Sequence, residues 1–336
     1  MQMPLGSRLA RELEAGRSGP LSSLLAQAWG EAAASRVARP LAVREGGKVV
    51  AVGGATLGGS GKTPLAVACA WRLAADGHGV VLVGHAYRAR PGRCRVVSPG
   101  DAVDVVGDEA LAAARALASV GARVVVGPDR QAALDYALEL APIAVLDGVA
   151  QLSPRRADLA LLAVDAACPW GAGSCPPCGD LRAPREALLS ACDRVVAIGE
   201  VDGRLAGGGA VVDLARVRSD GARLATRTVG WNELRASRVA LWTTIARPER
   251  VLGHLSRQGV VPVVVVTLGD HAAPSRGDSS RAIERARRAD VDLWLTTSKC
   301  ATRIPPMGGV PVATLDYERS LGEPLVRALR QAGHGR

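Results

Sequence analysis

The chain lacks phenylalanine and has few other aromatic residues. Its 336 residues include three tyrosines and six tryptophans. We therefore expect an aliphatic core of alanine, valine and leucine, with tryptophan as the large filler. Nucleic-acid-binding surfaces use aromatic side chains as stacking platforms, and no basic run in this sequence is interleaved with aromatics. The composition argues against a nucleic-acid partner.

Long apolar runs are also missing. No stretch approaches the roughly 18 uninterrupted apolar residues of a membrane-spanning helix. The first residues carry arginines and glutamates where a secretory signal would have an apolar segment, so we expect no such signal. The seven cysteines are an odd number and fit a reducing compartment better than a disulfide framework. These absences predict a protein of the cytoplasm or of a membrane face.

Negative charge is in deficit. Aspartate and glutamate number 32 against 42 lysines and arginines, which gives a net charge of +10. This balance suggests an anionic partner, such as a nucleotide, a nucleic acid or a membrane surface, and charge alone does not choose among them.

An apolar stripe at helical spacing lies near the start of the chain. Its members are Leu21, Leu24, Leu25, Ala28, Trp29 and Ala32. Such a stripe usually packs on its own domain, and the alternative is a helix that lies in the interface of a bilayer.

The most informative stretch runs from an apolar strand into a glycine-rich turn that ends in Gly61-Lys62-Thr63. Backbone N–H groups, a lysine cation and a hydroxyl for Mg²⁺ are what the phosphates of a nucleotide require. The strict motif has glycine at position 56, where this chain has Thr56. We predict a phosphate-binding loop formed by Thr56, Leu57, Gly58, Gly59, Ser60, Gly61, Lys62 and Thr63.

Short apolar runs alternate with helical segments along the chain. Those of the first half span residues 80–83, 103–106, 123–126, 143–146 and 159–164. This alternation predicts an α/β protein resembling P-loop NTPases, with a parallel sheet flanked by helices and a second, smaller α/β domain. We expect an N-terminal helical segment at 1–45, a nucleotide-binding domain at 46–225 and a C-terminal domain at 226–336.

Several acidic residues follow these apolar runs, where ligands collect in parallel sheets. Asp147 is a candidate for the Mg²⁺ shell, and Asp108 with Glu109 could supply a metal contact and a base. A strand-terminal aspartate can instead cap the next helix. For Asp165 the functional and the capping interpretations are equally open.

Two further sets of residues carry less specific signals. Asp270-His271 and Lys299 could serve catalysis and anion binding, or could be ordinary loop residues. Cys168, Cys175 and Cys178 have a spacing that would suit zinc but lack an evident fourth ligand, so small loop residues are the simpler interpretation.

The motifs are more specific in combination. They are Gly53 to Pro64, Val106-Gly107-Asp108-Glu109, Val126-Gly127-Pro128-Asp129-Arg130, Trp170-Gly171-Ala172-Gly173, Leu181-Arg182-Ala183-Pro184, Arg247-Pro248-Glu249-Arg250, Asp270-His271 and Thr297-Ser298-Lys299. In order and spacing the chain resembles the tetraacyldisaccharide 4'-kinase family of lipid A biosynthesis from about residue 20 to 315.

The resemblance implies transfer of the γ-phosphate of ATP to the 4'-hydroxyl of a tetraacyldisaccharide 1-phosphate lipid. It also implies a peripheral enzyme on the cytoplasmic face of the bacterial inner membrane, whose anionic surface would suit the basic charge and the apolar stripe.

The resemblance also implies roles for individual residues. Lys62 would neutralise the β- and γ-phosphates, Thr63 and Glu109 would hold Mg²⁺, and Asp108 would act as base with His271 as its partner. The predicted substrate contacts are Arg130, Asp147 and Lys299.

Three segments depart from the family pattern. Where the family has Asp-Asp-Gly-x-Gln-His, this chain has Leu146-Asp147-Gly148-Val149-Ala150-Gln151. Where the family has Ser-Arg-Gly-Tyr-Gly, it has Gly84-His85-Ala86-Tyr87-Arg88, and Cys300 replaces an aspartate of the family. The sequence thus leaves two hypotheses: a lipid kinase, or a divergent nucleotide-binding paralogue at the membrane without lipid kinase turnover.

Overall fold

The computed structural model describes residues 13, 15–16, 19–37, 41–86, 89–148, 157–199, 211–225, 227–245, 247–269, 272–315 and 317–334. The chain divides into two compact units. The larger comprises the described residues of Ala10–Val217 and Arg319–Arg336, and the smaller those of Arg218–Glu318.

Two sheets form the framework. The strands are β1 (Lys48–Gly54), β2 (Val80–Val83), β3 (Arg95–Val96), β4 (Arg123–Val126), β5 (Ile143–Asp147), β6 (Leu159–Asp165), β7 (Arg194–Ile198), β8 (Val211–Arg218), β9 (Gly221–Leu224), β10 (Arg227–Gly230), β11 (Val239–Thr243), β12 (Val264–Thr267), β13 (Leu293–Thr297), β14 (Val312–Leu315) and β15 (Glu318–Leu321). In the described part of the chain, the first sheet has the order β15-β8-β7-β6-β1-β5-β2-β4-β3 and the second β10-β9-β14-β13-β11-β12.

Helices connect and cover these strands. They are α1 (Pro20–Val37), α2 (Lys62–Ala75), α3 (Val103–Val106), α4 (Asp108–Leu117), α5 (Arg130–Leu140), α6 (Arg185–Ser190), α7 (Trp231–Ala236), α8 (Pro248–Arg257), α9 (Arg276–Arg288) and α10 (Glu323–His334), with short 3₁₀ turns at Ala118–Val120 and Cys300–Thr302. Seven adjacent strands of the first sheet are parallel to one another, in the order β4, β2, β5, β1, β6, β7 and β8. The prediction of a mostly parallel sheet flanked by helices is confirmed.

Strand β1 lies inside the first sheet and has apolar side chains on both faces. Val50 and Val52 belong to the core cluster that includes Leu65 of α2 and Leu111 of α4. Val49 and Ala51 belong to the cluster on the other face, with Leu134 and Leu138 of α5. Because side chains alternate along a strand, continuous apolar sequence is needed where both faces are buried. This packing fixes β1, and with it the loop that follows.

The apolar run Val103–Val106, predicted as a strand, is instead the short helix α3. The prediction of a strand was wrong: the four residues pair with no strand among the described residues and form one helical turn, in which the N–H of Gly107 donates to the carbonyl of Val103. The edge beside β4 is occupied by β3, which pairs antiparallel with it. Gly107, at φ 88°, then separates α3 from α4.

The last helix, α10, packs against α2 and β1 of the larger unit. Leu325 and Leu329 of this helix are fully buried in the same cluster as Leu65. Arg330 Nε donates a hydrogen bond to Asp76 Oδ2 at 3.0 Å, just after the end of α2. The sequence-based division had given this helix to the C-terminal domain.

The smaller unit has its own core around two tryptophans. Trp242 of β11 and Trp294 of β13 are fully buried, with ring centroids 6.3 Å apart in an edge-to-face arrangement. This matches the expectation of tryptophan as core filler. Trp29 and Trp71, in contrast, are more than two-fifths exposed, so the expectation does not extend to all six tryptophans.

Helix α1 packs through its small residues. Ala33 is buried, and the α-carbon of Gly30 lies so close to Pro184 that a Cβ there would be 3.2 Å from Pro184 Cγ. The large apolar side chains of the predicted stripe are exposed, at 72% for Leu21 and 66% for Leu24. The stripe is therefore not the face that packs on the protein. Among the described residues, no helix has the length and apolar character needed to cross a bilayer.

Candidate functional site

The glycine-rich turn joins the end of β1 to the start of α2. Gly61 immediately precedes α2 and has φ 79°, and a Cβ there would be 2.5 Å from Ile198 Cδ1. Any other residue at this position would have to adopt a left-handed backbone conformation that residues with a Cβ disfavour, and its Cβ would also lie too close to Ile198. Thr56 and Ser60 are buried, and Thr56 Oγ1 donates a hydrogen bond to the carbonyl of Gly58. The loop is thus held by its own side chains as well as by the sheet.

A second segment fixes the loop from outside. The N–H of Leu57 donates to the carbonyl of Asp180, and Arg182 Nε donates to the carbonyl of Thr56 at 2.8 Å. Arg182 Nη2 reaches the carbonyl of Leu57 at 3.2 Å. Burial lowers the pKa of Arg182, whereas the carboxylates of Asp147 and Glu109 raise it. Arg182 therefore lies within the electrostatic reach of these carboxylates while it holds the loop.

Lys62 and Thr63 open α2 and face the end of β5. Thr63 Oγ1 lies 2.7 Å from Asp147 Oδ2 and 3.4 Å from Glu109 Oε2. Lys62 Nζ lies 3.4 Å from Asp147 Oδ1 and 3.8 Å from Glu109 Oε2. Parallel pairing of β1 with β5, with Val52 opposite Asp147, brings residues some 85 positions apart in sequence to one edge.

Asp108 and Glu109 begin α4, next to Gly107. The Asp108 carboxylate is 1% exposed, and its Oδ1 accepts a hydrogen bond from the N–H of Glu109 at 2.8 Å. Carboxylates at a helix N-terminus are stabilised by the unpaired N–H groups there. Asp108 is the first residue of the helix, whose N-cap is Gly107 without a side-chain capping hydrogen bond, while Glu109 reaches Lys62 and Thr63. The two adjacent carboxylates have different surroundings.

Arg130 begins α5 and approaches the same edge. Its Nη1 lies 3.5 Å from the carbonyl of Val83 and 3.4 Å from that of Gly84, at the end of β2. Its Nη2 is buried, and no hydrogen-bond acceptor reaches it among the described residues. Burial lowers the pKa of Arg130, opposed by Asp147 and Glu109. A buried guanidinium nitrogen without an acceptor is costly and suits a site that receives an anion.

His85 follows β2 at the mouth of this edge, with part of its surface exposed. Partial desolvation and the positive charges of Arg130 and Lys62 lower the pKa of His85 to about 4, against the opposing effect of Glu109 and Asp147. The ring is therefore neutral near pH 7. Sequence reasoning did not include His85 or Arg182 among the site residues, although both lie in the quoted motifs.

Oxygen ligands at this edge suit a hard cation. Thr63, Asp147 and Glu109 offer one hydroxyl and two carboxylates, the set with which proteins hold Mg²⁺ while it keeps several waters. In the described residues no group of three or more histidine, cysteine, aspartate and glutamate side chains is arranged to hold a metal ion. One hydroxyl and two carboxylates supply only part of the ligands of a six-coordinate cation, so the others would come from water or a bound ligand.

Lys299 precedes the 3₁₀ turn after β13 in the smaller unit, where the buried Cys300 Sγ accepts a hydrogen bond from the N–H of Thr244 at 3.2 Å. His271 and Asp270 lie outside the described residues. Cys168 is exposed, whereas Cys175 and Cys178 are buried.

Fold and site together define an α/β protein in which a glycine-rich loop, a lysine and two carboxylates meet at the carboxyl edge of a parallel sheet. The model of the family described as tetraacyldisaccharide-1-P 4'-kinase (LpxK) matches residues 20–332. The chain belongs to this family.

Relatives of the chain carry the same name. A tetraacyldisaccharide 4'-kinase from Methylobacterium radiotolerans is 34% identical over 321 residues, which cover 94% of this chain and 93% of that protein. Another from Brucella suis is 31% identical over 299 residues, which cover 86% and 83% respectively.

A solved structure shares the fold. The crystal structure of LpxK from Aquifex aeolicus in complex with ATP superposes with a TM-score of 0.70 at 19% identity and covers 92% of this chain and 96% of that one. At this identity the likeness concerns the fold.

Proposed function

We propose that this chain is an ATP-dependent kinase that transfers the γ-phosphate to the 4'-hydroxyl of a tetraacyldisaccharide 1-phosphate. The observation that carries the proposal is the convergence of Lys62, Thr63, Asp147 and Glu109 at one sheet edge, in a chain that belongs to this family throughout. Phosphoryl transfer depends mainly on positioning and on electrostatic stabilisation of the transferred group, and this edge offers both.

The loop from Thr56 to Thr63 would hold the phosphates. Its backbone N–H groups and the N-terminus of α2 suit an anion. Lys62 is paired with Asp147 and Glu109 in the structure, and it would turn to the β- and γ-phosphates when the nucleotide binds. The loop is therefore proposed as a phosphate-binding loop, with ATP as the phosphoryl donor.

Thr63 and Glu109 would hold Mg²⁺, and Asp147 lies close enough to Thr63 to join them. Bound there, the ion would offset charge on the phosphate oxygens. Asp108 would accept the proton of the attacking hydroxyl, with His271 as its partner. Asp108 is buried and directly precedes Glu109, which contacts Lys62, and a carboxylate so placed suits a base. Arg130, Asp147 and Lys299 remain the proposed substrate contacts.

We also propose a peripheral location on the cytoplasmic face of the inner membrane, and helix α1 supports the contact with a membrane. Leu21, Leu24, Leu25 and Trp29 are all exposed on this helix. Clustered exposed apolar side chains on a helix favour insertion at the headgroup boundary, and the net charge of +10 favours an anionic surface. The lipid substrate would be taken from that surface.

The test is a phosphoryl-transfer assay with purified full-length protein, Mg-ATP and detergent-dispersed tetraacyldisaccharide 1-phosphate. The expected product is the 1,4'-bisphosphate, formed only when ATP and the lipid are both present. Asp108→Asn is expected to lower kcat by about 10²-fold or more while ATP affinity stays near wild type. Saturable ATP binding without lipid phosphorylation by the wild type would instead support a nucleotide-binding paralogue.

A further inference from the structure

His85 and Gly148 lie side by side because of the sheet register. Strands β2 and β5 are parallel, with Val83 opposite Leu146. Continuing both chains by two residues brings His85 alongside Gly148, directly after Asp147. Strand β5 therefore relates the two contacts, because its pairing with β2 brings His85 beside Gly148 and its pairing with β1 brings Asp147 to Thr63.

Three basic side chains converge on one point above Gly148. A Cβ at this glycine would lie 3.1 Å from Arg130 Nη2, 3.9 Å from His85 Cδ2 and 4.0 Å from Lys62 Cε. Gly148 has φ 87°, a conformation that residues with a Cβ rarely adopt. A side chain at this position would be crowded by Arg130 Nη2, so glycine allows a guanidinium, an imidazole and the end of a lysine side chain to lie close to the backbone after Asp147.

The three groups differ in charge. Lys62 and Arg130 carry positive charge, whereas the His85 ring is neutral because desolvation and these two cations lower its pKa to about 4. A neutral imidazole still carries one N–H donor. The cluster therefore combines two cations with a neutral ring that carries one N–H donor, and Arg130 Nη2 has no acceptor among the described residues.

We propose that His85 binds the terminal phosphoryl group of the nucleotide, donating a hydrogen bond to one of its oxygens beside Arg130 and Lys62. The proposal rests on the proposed function, since it assumes that ATP occupies the loop. The terminal group is favoured because a lysine in this loop position reaches the β- and γ-phosphates and the side chains converge at the far end of Lys62.

The test compares ATP with ADP as ligands. Dissociation constants are measured by calorimetry for both nucleotides, with Mg²⁺ and without lipid, on the full chain and on His85→Ala, His85→Gln and His334→Ala. His334 is an exposed histidine at the end of α10, whose Nδ1 lies 2.7 Å from the carbonyl of Arg330, and it serves as the matched control.

We expect His85→Ala to weaken ATP binding about tenfold while ADP binding changes less than about twofold, because one hydrogen bond to a charged group is lost. His85→Gln keeps an N–H donor and should recover part of the ATP affinity, and His334→Ala should match wild type. Equal weakening of ATP and ADP, or no change for either, would overturn the proposal while leaving the kinase assignment intact. A wild-type protein that binds neither nucleotide would overturn both.

Discussion

Thr63 Oγ1 donates a hydrogen bond to Asp147 Oδ2 at 2.7 Å and so joins the first turn of α2 to the end of β5. Asp147 is 1% exposed and has Lys62 as its ion-pair partner. The hydroxyl therefore donates a hydrogen bond to a buried carboxylate and would also be a ligand of the proposed Mg²⁺ ion. Its removal should affect both catalysis and stability.

Thr63→Val keeps the shape of the side chain and removes the hydroxyl. We expect kcat/KM to fall about 10²-fold and the free energy of unfolding to fall by about 1–3 kcal/mol, because Asp147 loses its short hydrogen bond. Thr63→Ser keeps the hydroxyl and should lose less than about fivefold in kcat/KM. Steady-state kinetics and denaturant unfolding measure the two effects, and a Thr63→Val enzyme as active as Thr63→Ser would contradict the assigned role.

Arg182 connects the Leu181 segment to the phosphate-binding loop through the carbonyls of Thr56 and Leu57. Arg182→Lys keeps the charge but has one donor nitrogen in place of the two, held in a rigid plane, that contact the two carbonyls, so the loop should lose its fixed conformation. We expect KM for ATP to rise about tenfold. The control is Arg185→Lys, since Arg185 lies over the Trp170 ring, where lysine also provides a cation. Equal KM values for the two variants would show that the loop does not depend on Arg182.

Asp76 and Arg330 attach α10 to the end of α2. The hydrogen bond from Arg330 lowers the pKa of Asp76, with a further contribution from Arg72. Because the folded-state pKa lies below the ordinary value, this contribution to stability is present above the ordinary pKa and is lost as pH falls through the lowered one. Asp76→Asn should therefore unfold at a lower Tm than wild type at pH 7, and the difference should shrink towards pH 3. A Tm difference that does not depend on pH would contradict the assignment.

Helix α1 presents exposed leucines that the protein itself does not cover. A variant with Leu21→Ser, Leu24→Ser and Leu25→Ser should sediment with anionic phospholipid vesicles at least about tenfold less than wild type, because each buried leucine contributes about 1.5–3 kcal/mol. Val261→Ser and Val263→Ser together form the control, since these valines are exposed in the smaller unit. Unchanged sedimentation of the leucine variant would remove α1 as the membrane contact.

The loop could be predicted because its chemistry is local. Gly61, Lys62 and Thr63 are consecutive, and the strand and helix on either side have clear sequence patterns. The pairing of Thr63 with Asp147 was also within reach, because acidic residues that end parallel strands meet at one edge.

Other features depend on contacts that no local pattern encodes. Val103–Val106 has strand-forming residues, yet whether a sheet edge is open to it depends on β3, whose pairing the sequence did not reveal. Arg182 acts on a loop some 125 positions earlier, and His85 reaches Gly148 only through the register of β2 and β5. The exposed face of α1 was likewise undetermined, because an apolar stripe is usually a buried face but also fits a membrane face.

The central claim is that the cluster around Lys62 performs phosphoryl transfer to the lipid. The most direct measurement is the rate of 1,4'-bisphosphate formation from Mg-ATP and tetraacyldisaccharide 1-phosphate by the wild type, Lys62→Ala and Lys48→Ala. Lys48 is the first residue of β1, the strand whose other end leads into the loop. Its Nζ donates to the carbonyl of Gly333, and it provides the matched control. We predict product formation by the wild type and by Lys48→Ala, with a loss of at least about 10²-fold in Lys62→Ala. Wild-type activity in Lys62→Ala, or no product from a folded wild-type protein that binds ATP, would contradict the account.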